Sequence, residues 1–322
     1  MNWRALHSLG PVIALIALVI IGYALNPAFL APGNVVNVLA RSAFTGLIAV
    51  GMTFVITSGG LDLSVGAMAA FLAGMAILAM NALAPVTGVN WGTVLLGMCT
   101  ALLGGLVAGL INGLLVTRAG IEPFIVTLGT MGIFRSLVTW IADGGTLSLD
   151  SQLRTLYRPV YYSGIGPVSW PIIVFALVAV GGHVLMRHTR FGRHVEAIGS
   201  NERVARYSSV DVGRVQLMTY VLLGLLVGLA TVIYVPRLGS ASGSTGIGWE
   251  LEAIAAVIIG GTALKGGHGV VWGTVVGVLI LSLIDNILNL ADLVSPYLNG
   301  AIQGVIIVLA VILQRDKRAA RD

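Results

Sequence analysis

Asp62 and Ser64 stand two residues apart in "TSGGLDLSVG" (57–66), between two long apolar runs, while Asn112, Asp285, Asn286 and Gln303 lie inside other such runs. A charged side chain at bilayer depth costs about 2.5–3.5 kcal/mol on insertion scales, so each of these residues needs a compensating role. Two glycines break the first run, and Asp62 or Ser64 can then accept hydrogen bonds from the free N–H groups that open the next helix. The same pair is open to a direct role in gating or a substrate path. Asn112, Asp285, Asn286 and Gln303 offer donors and acceptors at depth, as a polyhydroxylated solute would want, or else bond helix to helix. Asp62, Ser64, Asn112, Asp285 and Asn286 are therefore the candidates for a substrate pathway or gate. Arg135 and His183 carry less information, since a lone His in a span is more often a packing residue than a ligand. Glu250 and Glu252 fall at a helix start, where the macrodipole favours an acid.

Catalytic chemistry has no counterpart in this sequence. It contains no HExxH, GxSxG or CxxC pattern and no clustered His or Cys for a metal. "GGTALKGGHG" (260–269) has the glycines of a phosphate-binding loop but lacks the GK[ST] ending and follows an apolar segment rather than a strand. No catalytic residue, metal site or bound cofactor is expected in this chain; if ATP drives it, another chain hydrolyses the nucleotide.

The elements that must position these residues are membrane helices. The chain is 57% hydrophobic and 10% charged with 43 glycines in 322 residues, and its mean hydropathy of +0.96 lies far outside the range of soluble domains. A span needs roughly 20 apolar residues, and ten segments qualify, near 11–25, 40–57, 62–80, 92–117, 123–141, 169–186, 215–236, 250–264, 270–290 and 297–313; the first and eighth are short. Loops between them are too short for a soluble domain, so residues 1–322 form one transmembrane domain. The first run leads through "YALNP" without a small-x-small cleavage site and is expected to stay as an uncleaved span. Placing the N-terminus inside puts 13 of 18 basic residues in the cytoplasm and leaves Arg41, Arg154, Arg158 and Arg237 outside, which supports ten spans with both termini cytoplasmic. The net charge of +5 is then accounted for by anchoring against anionic membrane lipid, with no need of nucleic acid. The single cysteine, Cys99, has no disulfide partner and is expected to be a small core residue.

At an offset of 173 residues Gly104 matches Gly277, "INGLL" (111–115) matches "IDNIL" (284–288), and Pro123-Phe124 matches Pro296-Tyr297. Elements five spans apart in a ten-span chain cross in opposite directions, so this would be an inverted repeat; chance similarity between Gly- and Leu-rich helices is the competing explanation. GxxxG spacings at Gly105, Gly109 and Gly113, at Gly224 and Gly228, and at Gly273 and Gly277 point to close helix packing.

The outlier is residues 187–214, a polar stretch between the sixth and seventh spans that the charge count places in the cytosol. Within it Asn201 suits an N-cap, Glu202 the positive helix start and Arg206 the negative end, while Val204, Tyr207 and Ser208 share one side. This reads as a short amphipathic helix offered to a protein. Lying in the lipid interface is the alternative, but Val204 and Tyr207 alone would anchor it weakly.

Gly199, Ser200, Asn201, Glu202, Ala205, Arg206 and Ser208, together with "GMTFVITSGGLDLSVGA" (51–67) and "ELEAIAAVIIGGTALKGGHGVVWGTVVGVLI" (250–280), resemble the permease subunits of bacterial ABC-type monosaccharide importers, the ribose, xylose and galactose branch. Three separated motifs occur in the right order over nearly the whole chain. Val204 and Ser209 depart from it, standing where the family commonly has Ala and Gly. The resemblance implies an all-α integral membrane protein of about ten transmembrane helices with the architecture of vitamin B12-type importers, in the bacterial inner membrane. It also implies a second permease subunit, identical or related, two cytosolic ATPase subunits that carry ATP and Mg, and a periplasmic sugar-binding protein. Gly199, Asn201, Glu202, Ala205, Arg206 and Ser208 would couple to the ATPase, and the outer loops 142–168 and 237–249 would receive the binding protein. The competing classes are a stand-alone ten-helix secondary transporter of a small polar metabolite, which has no use for a docking helix, and an intramembrane enzyme, for which the nucleophile and metal patterns are missing.

Overall fold

The computed structural model describes residues 10–291, 298, 300–302 and 304–305. Arg4, Gln303, the Pro296-Tyr297 repeat pair, the C-terminal basic cluster and most of the tenth apolar segment lie outside the described residues. Each of the other nine apolar segments carries a helix. These are α1 (Gly10–Leu25), α2 (Pro32–Thr57), α3 (Val65–Thr87), α4 (Trp91–Thr117), α5 (Pro123–Ile141), α8 (Trp170–His188), α11 (Val212–Leu238), α12 (Trp249–Ile259) and α13 (Val271–Ala291). Seven are long and apolar enough to cross a membrane: α2, α3, α4, α5, α8, α11 and, over Val271–Leu290, α13. The two short segments stay short, α1 at 16 residues and α12 at 11, so α12 rises only about 16 Å at 1.5 Å per residue. Local chemistry sets several ends. Pro32 and Pro123 open α2 and α5, where a missing N–H is no loss; Asn90 caps α4 by accepting from the Thr93 N–H at 3.1 Å; Gly239, at φ 67°, closes α11.

Helices α2 and α11 form the centre, packed on each other and surrounded by α3, α4, α8, α12 and α13. Glycines set the α4–α11 distance. A Cβ on Gly105 would overlap the Gly224 carbonyl, one on Gly224 would overlap the Gly105 carbonyl, and one on Gly109 would overlap the Tyr220 carbonyl. Backbones in direct contact gain dispersion energy along their length where lipid offers no hydrophobic drive for association. Gly273 and Gly277 play the same part between α13 and α12, against Gly260 and Ala256.

The packing pairs have the correspondence an internal repeat requires. With α2, α3 and α4 set against α11, α12 and α13, the pairs α3–α4 and α12–α13, α4–α11 and α13–α2, and α3–α11 and α12–α2 are all present. Gly104 faces Leu72 of α3, and its match Gly277 faces Ala256 of α12. Cys99 departs from expectation: it is exposed. The packed face of α4 runs through Val94, Gly97, Ala101, Gly105 and Ala108, and Cys99, two residues from Gly97, points roughly 200° away from it.

The two loops assigned to one side of the membrane meet. Strand β1 (Thr146–Ser148) pairs antiparallel with β4 (Ser240–Ser242), Leu147 opposite Ala241. Between them lie α6 (Ser151–Tyr157), α7 (Pro159–Tyr162) and the small hairpin β2 (Gly164–Ile165) with β3 (Val168–Ser169). The Tyr157 hydroxyl donates to the Val232 carbonyl at 2.7 Å and fastens α6 to the core.

Gly224→Val puts three extra carbons against the Gly105 backbone, and overpacking of this kind costs about 1–3 kcal/mol. A fall of several degrees in the apparent Tm of the purified protein is expected. Gly181→Ala, with nothing within 4 Å among the described residues, is expected to leave it unchanged; equal shifts for the two would remove the glycine contact as the cause.

Candidate functional site

The polar insert folds as two helices, α9 (Arg190–Ser200) and α10 (Glu202–Tyr207), where the sequence predicts one. Thr189 caps α9 through the Gly192 N–H at 3.3 Å. Its apolar residues Phe191, Val195 and Ile198 recur at i, i+4 and i+7, a signal short enough to be lost in a segment chosen for its polarity. The predicted second helix is present with its cap: Asn201 Oδ1 accepts from the Val204 N–H at 3.1 Å, Glu202 pairs with Arg206 at 2.7 Å, and Ser208 Oγ donates to the Val204 carbonyl at 3.0 Å. Ala205 turns inward, onto Val195, Ile198, Val212 and Val215. Val204 and Tyr207 turn outward, 57% and 88% exposed. Ser209 sits at φ 62°, the left-handed region that glycine fills without strain.

Gly199 does not join that outward face. A Cβ there would overlap the Thr57 carbonyl at the end of α2 and the backbone of Gly267. Gly267 donates its N–H to that Thr57 carbonyl at 2.9 Å, Ser200 Oγ donates to the Gly267 carbonyl at 3.4 Å, and Glu196 accepts from the Gly269 N–H at 3.4 Å. Arg187 and His268 stand 3.9 Å from the same carboxylate. The glycine-rich stretch 260–269 is thus a packing loop that joins the end of α2, the start of α13 and α9.

Asp62, Ser64 and Asn112 come together as one buried cluster. Asp62 Oδ1 accepts from the Ser64 N–H at 2.8 Å and from Ser64 Oγ at 2.6 Å. Asn112 Nδ2 donates to Asp62 Oδ2 at 3.1 Å and to Ser64 Oγ at 3.0 Å. Ser64 is the N-cap residue of α3, but its side chain makes no bond into the helix. The expected cap is therefore corrected: the carboxylate folds back on its own turn and reaches across to Asn112 of α4, where its burial is offset by hydrogen bonds. The Tyr220 hydroxyl, donating to the Leu61 carbonyl at 3.3 Å, ties the same turn to α11.

Asp285 and Asn286 line a different place, a cavity of about 130 Å³ whose wall also includes Arg41, Arg237, Trp249 and Glu252. Asn286 exchanges both side-chain amide bonds with Asn34 of α2, at 2.9 and 3.0 Å. Phe44, Tyr161, Tyr234 and Trp249 form an aromatic cluster along one side, with Phe44 and Trp249 stacked at 6.3 Å and 9°. The Arg237 guanidinium lies over the Phe44 ring at 5.6 Å and the Tyr161 ring at 5.8 Å. Burial pushes the Tyr161 phenol above its usual range, and the Arg237 and Arg41 charges partly oppose that. Sequence reasoning missed Arg41, Arg237 and Trp249 and gave Glu252 only a capping role, although both glutamates do occupy the first turn of α12. Arg135 donates to the carbonyls of Gly243 and Thr245 and fastens α5 to the loop after α11. His183 packs against the rings of Trp272 and His188.

Helices α2 and α13 connect these places. Thr57 and Arg41 are 16 residues apart on α2, about 24 Å along the axis. On α13, Val271 adjoins the packing loop and Asp285 lines the cavity.

A family model described as branched-chain amino acid transport system / permease component matches residues 34–311. A ribose import permease of Bacillus subtilis (strain 168) is 43% identical over 320 residues, covering 98% of this chain and 94% of the relative. A D-allose transport system permease of Escherichia coli (strain K12) is 38% identical over 289 residues, covering 89% and 85%. A xylose transport system permease of Haemophilus influenzae is 33% identical, covering 95% and 96%.

Removing one member of the Asp62 cluster leaves the other buried polar groups without partners, at about 1–3 kcal/mol each. Asp62→Ala and Asn112→Ala are each expected to lower the apparent Tm, and the double variant to lose less than their sum. Additive losses in a thermal melt of the purified protein would dissolve the cluster into independent residues.

Proposed function

The chain belongs to this family of transport-system permease components, and on that premise we propose that it is the membrane-spanning subunit of an ATP-binding-cassette importer that carries a monosaccharide inward. The chemistry of its named relatives, which import ribose, allose and xylose, supports a pentose or hexose as cargo. The observation that carries the coupling half of this reading is the two-faced insert. One face of α9–α10 is seated on the end of α2 and on the packing loop; the other presents Asn201, Glu202, Val204, Arg206 and Tyr207 outward. A side chain as large as Tyr207 at 88% exposure stands ready for a protein groove.

In this reading the fold has ten spans in the arrangement of vitamin B12-type importers, both termini cytoplasmic, in the bacterial inner membrane. A second permease subunit lies beside it, two ATPase subunits bind α9–α10 from the cytosol, and a periplasmic sugar-binding protein docks on loops 142–168 and 237–249, which the β1–β4 pairing holds as one platform. ATP and Mg belong to the partner. Closure of the ATPase dimer displaces α9–α10 as a unit, because Ala205 locks α10 onto α9 and the start of α11. The displacement passes to α11, with which the insert is continuous, and through Gly199 to α2 and the loop leading into α13. Alternating access follows as these helices shift and the sugar path opens to one side and then the other.

Replacing Asn201 and Glu202 together by Ala removes the α10 cap and its ion pair while leaving the spans untouched. Membrane insertion is expected to persist while sugar-stimulated ATP hydrolysis by the reconstituted complex falls by about tenfold or more, as loss of interface anchors implies. Normal sugar-stimulated turnover in this variant would sink the coupling assignment.

A further inference from the structure

We infer that the cavity between α2, α11, α12 and α13 is a monosaccharide station, in which Arg41, Glu252 and Asp285 read hydroxyl groups and Trp249 receives the sugar ring. The inference rests on the sugar-importing reading above and adds to it a place and a set of residues.

Charge balance selects the ligand class. Among the described residues two arginines and two carboxylates line the cavity, so their formal charges cancel. A site for a cation would show an excess of acids, and a site for an anion an excess of bases. What suits this lining is a neutral molecule dense in groups that both donate and accept. Guanidinium forks and carboxylates each engage two neighbouring oxygens, which matches vicinal hydroxyls. Asn286 spends one amide hydrogen and one lone pair on Asn34 and keeps one of each.

Spacing supports the same class. Among the described residues, Arg41 and Glu252 share the lining yet make no ion pair within 4 Å and no side-chain hydrogen bond. Opposite charges held near each other without contact leave room for a bridging group, and Arg237 is kept from them by its seat on the aromatic rings. The cavity volume of about 130 Å³ holds several waters at the ~30 Å³ share of each in the liquid, and so keeps an occupant to no more than a single sugar ring. Trp249 adds an aromatic surface to the charged lining, which gives the apolar C–H face of a ring a partner while its hydroxyls turn to the charges.

The test is uptake of radiolabelled D-ribose, D-xylose and D-allose into proteoliposomes holding the complete importer, with deoxy analogues of the transported sugar as competitors. For that sugar, Glu252→Gln and Arg41→Lys, both nearly isosteric in length, are expected to raise KM by about tenfold or more with a smaller change in kcat, since a buried hydroxyl loses its partner. Each variant is also expected to narrow the preference for the sugar over the deoxy analogue whose missing hydroxyl that side chain reads. Ser282→Ala, a smaller change in the same lining, is expected to shift KM in the same direction and keeps the test open if a charge variant fails to assemble. Uptake with KM and deoxy-sugar preference unmoved, or a fall confined to kcat, overturns the site and leaves the importer reading standing. A wild type that moves none of the three sugars overturns both.

Discussion

One backbone carbonyl, that of Thr57, is where the polar part of the molecule is joined to the apolar part. It ends α2, accepts the Gly267 N–H, and lies so close to Gly199 that no side chain fits between them. Three segments far apart in sequence therefore share one point of contact. Glycine is the only residue that permits it twice over: at Gly199 because space is lacking, and at Gly267 because the backbone is also left-handed, at φ 83°. Everything proposed about force passing from a cytosolic partner into the membrane depends on this contact being tight, since a cushioned one would absorb the movement.

Much of this was legible in the sequence, and what was not has a physical pattern. Apolar runs marked nine of the described helices, seven of them long and apolar enough to cross a membrane, and even the shortness of α1 and α12 was visible as short runs. The Asn201 cap was readable because its partner lies within three residues, and Glu202 and Arg206 were readable as helix-end charges, though not as the ion pair they form. Helix α9 went unseen because a helix stabilised by packing only Phe191, Val195 and Ile198 leaves a weak periodic signal. The cavity was illegible for another reason: Arg41, Arg237, Glu252 and Asp285 come from four helices, and no local spacing relates them. The Asp62 cap was misread because the sequence shows the donors nearby and hides Asn112, which arrives from 50 residues away. Cys99 was placed in the core on residue type alone, while its angular position on α4 sends it outward.

The two halves of the bundle differ in how they meet one constraint. Polar groups surrounded by hydrocarbon must find partners inside the protein or face enclosed water. In the first half Asp62, Ser64 and Asn112 bond one another and join the turn before α3 to α4. In α13, Asp285 and Asn286 instead line a cavity with Arg41, Arg237 and Glu252. One pattern of helix pairs thus holds a bonded polar cluster at one place and a polar cavity at another.

Thr53 Oγ1 meets Thr274 Oγ1 at 2.8 Å deep between α2 and α13, and its location along the helix has a mechanical consequence. Thr53 is four residues from Thr57 and twelve from Arg41, or about 6 Å and 18 Å of helix. If that bond is the fulcrum, α2 is a lever with arms of one to three. A push of about 1 Å at the Gly199 contact becomes a swing of about 3 Å at the Arg41 guanidinium, larger than the tolerance of any hydrogen bond it makes. Small travel at the Gly199 end is then sufficient to release whatever the far end holds.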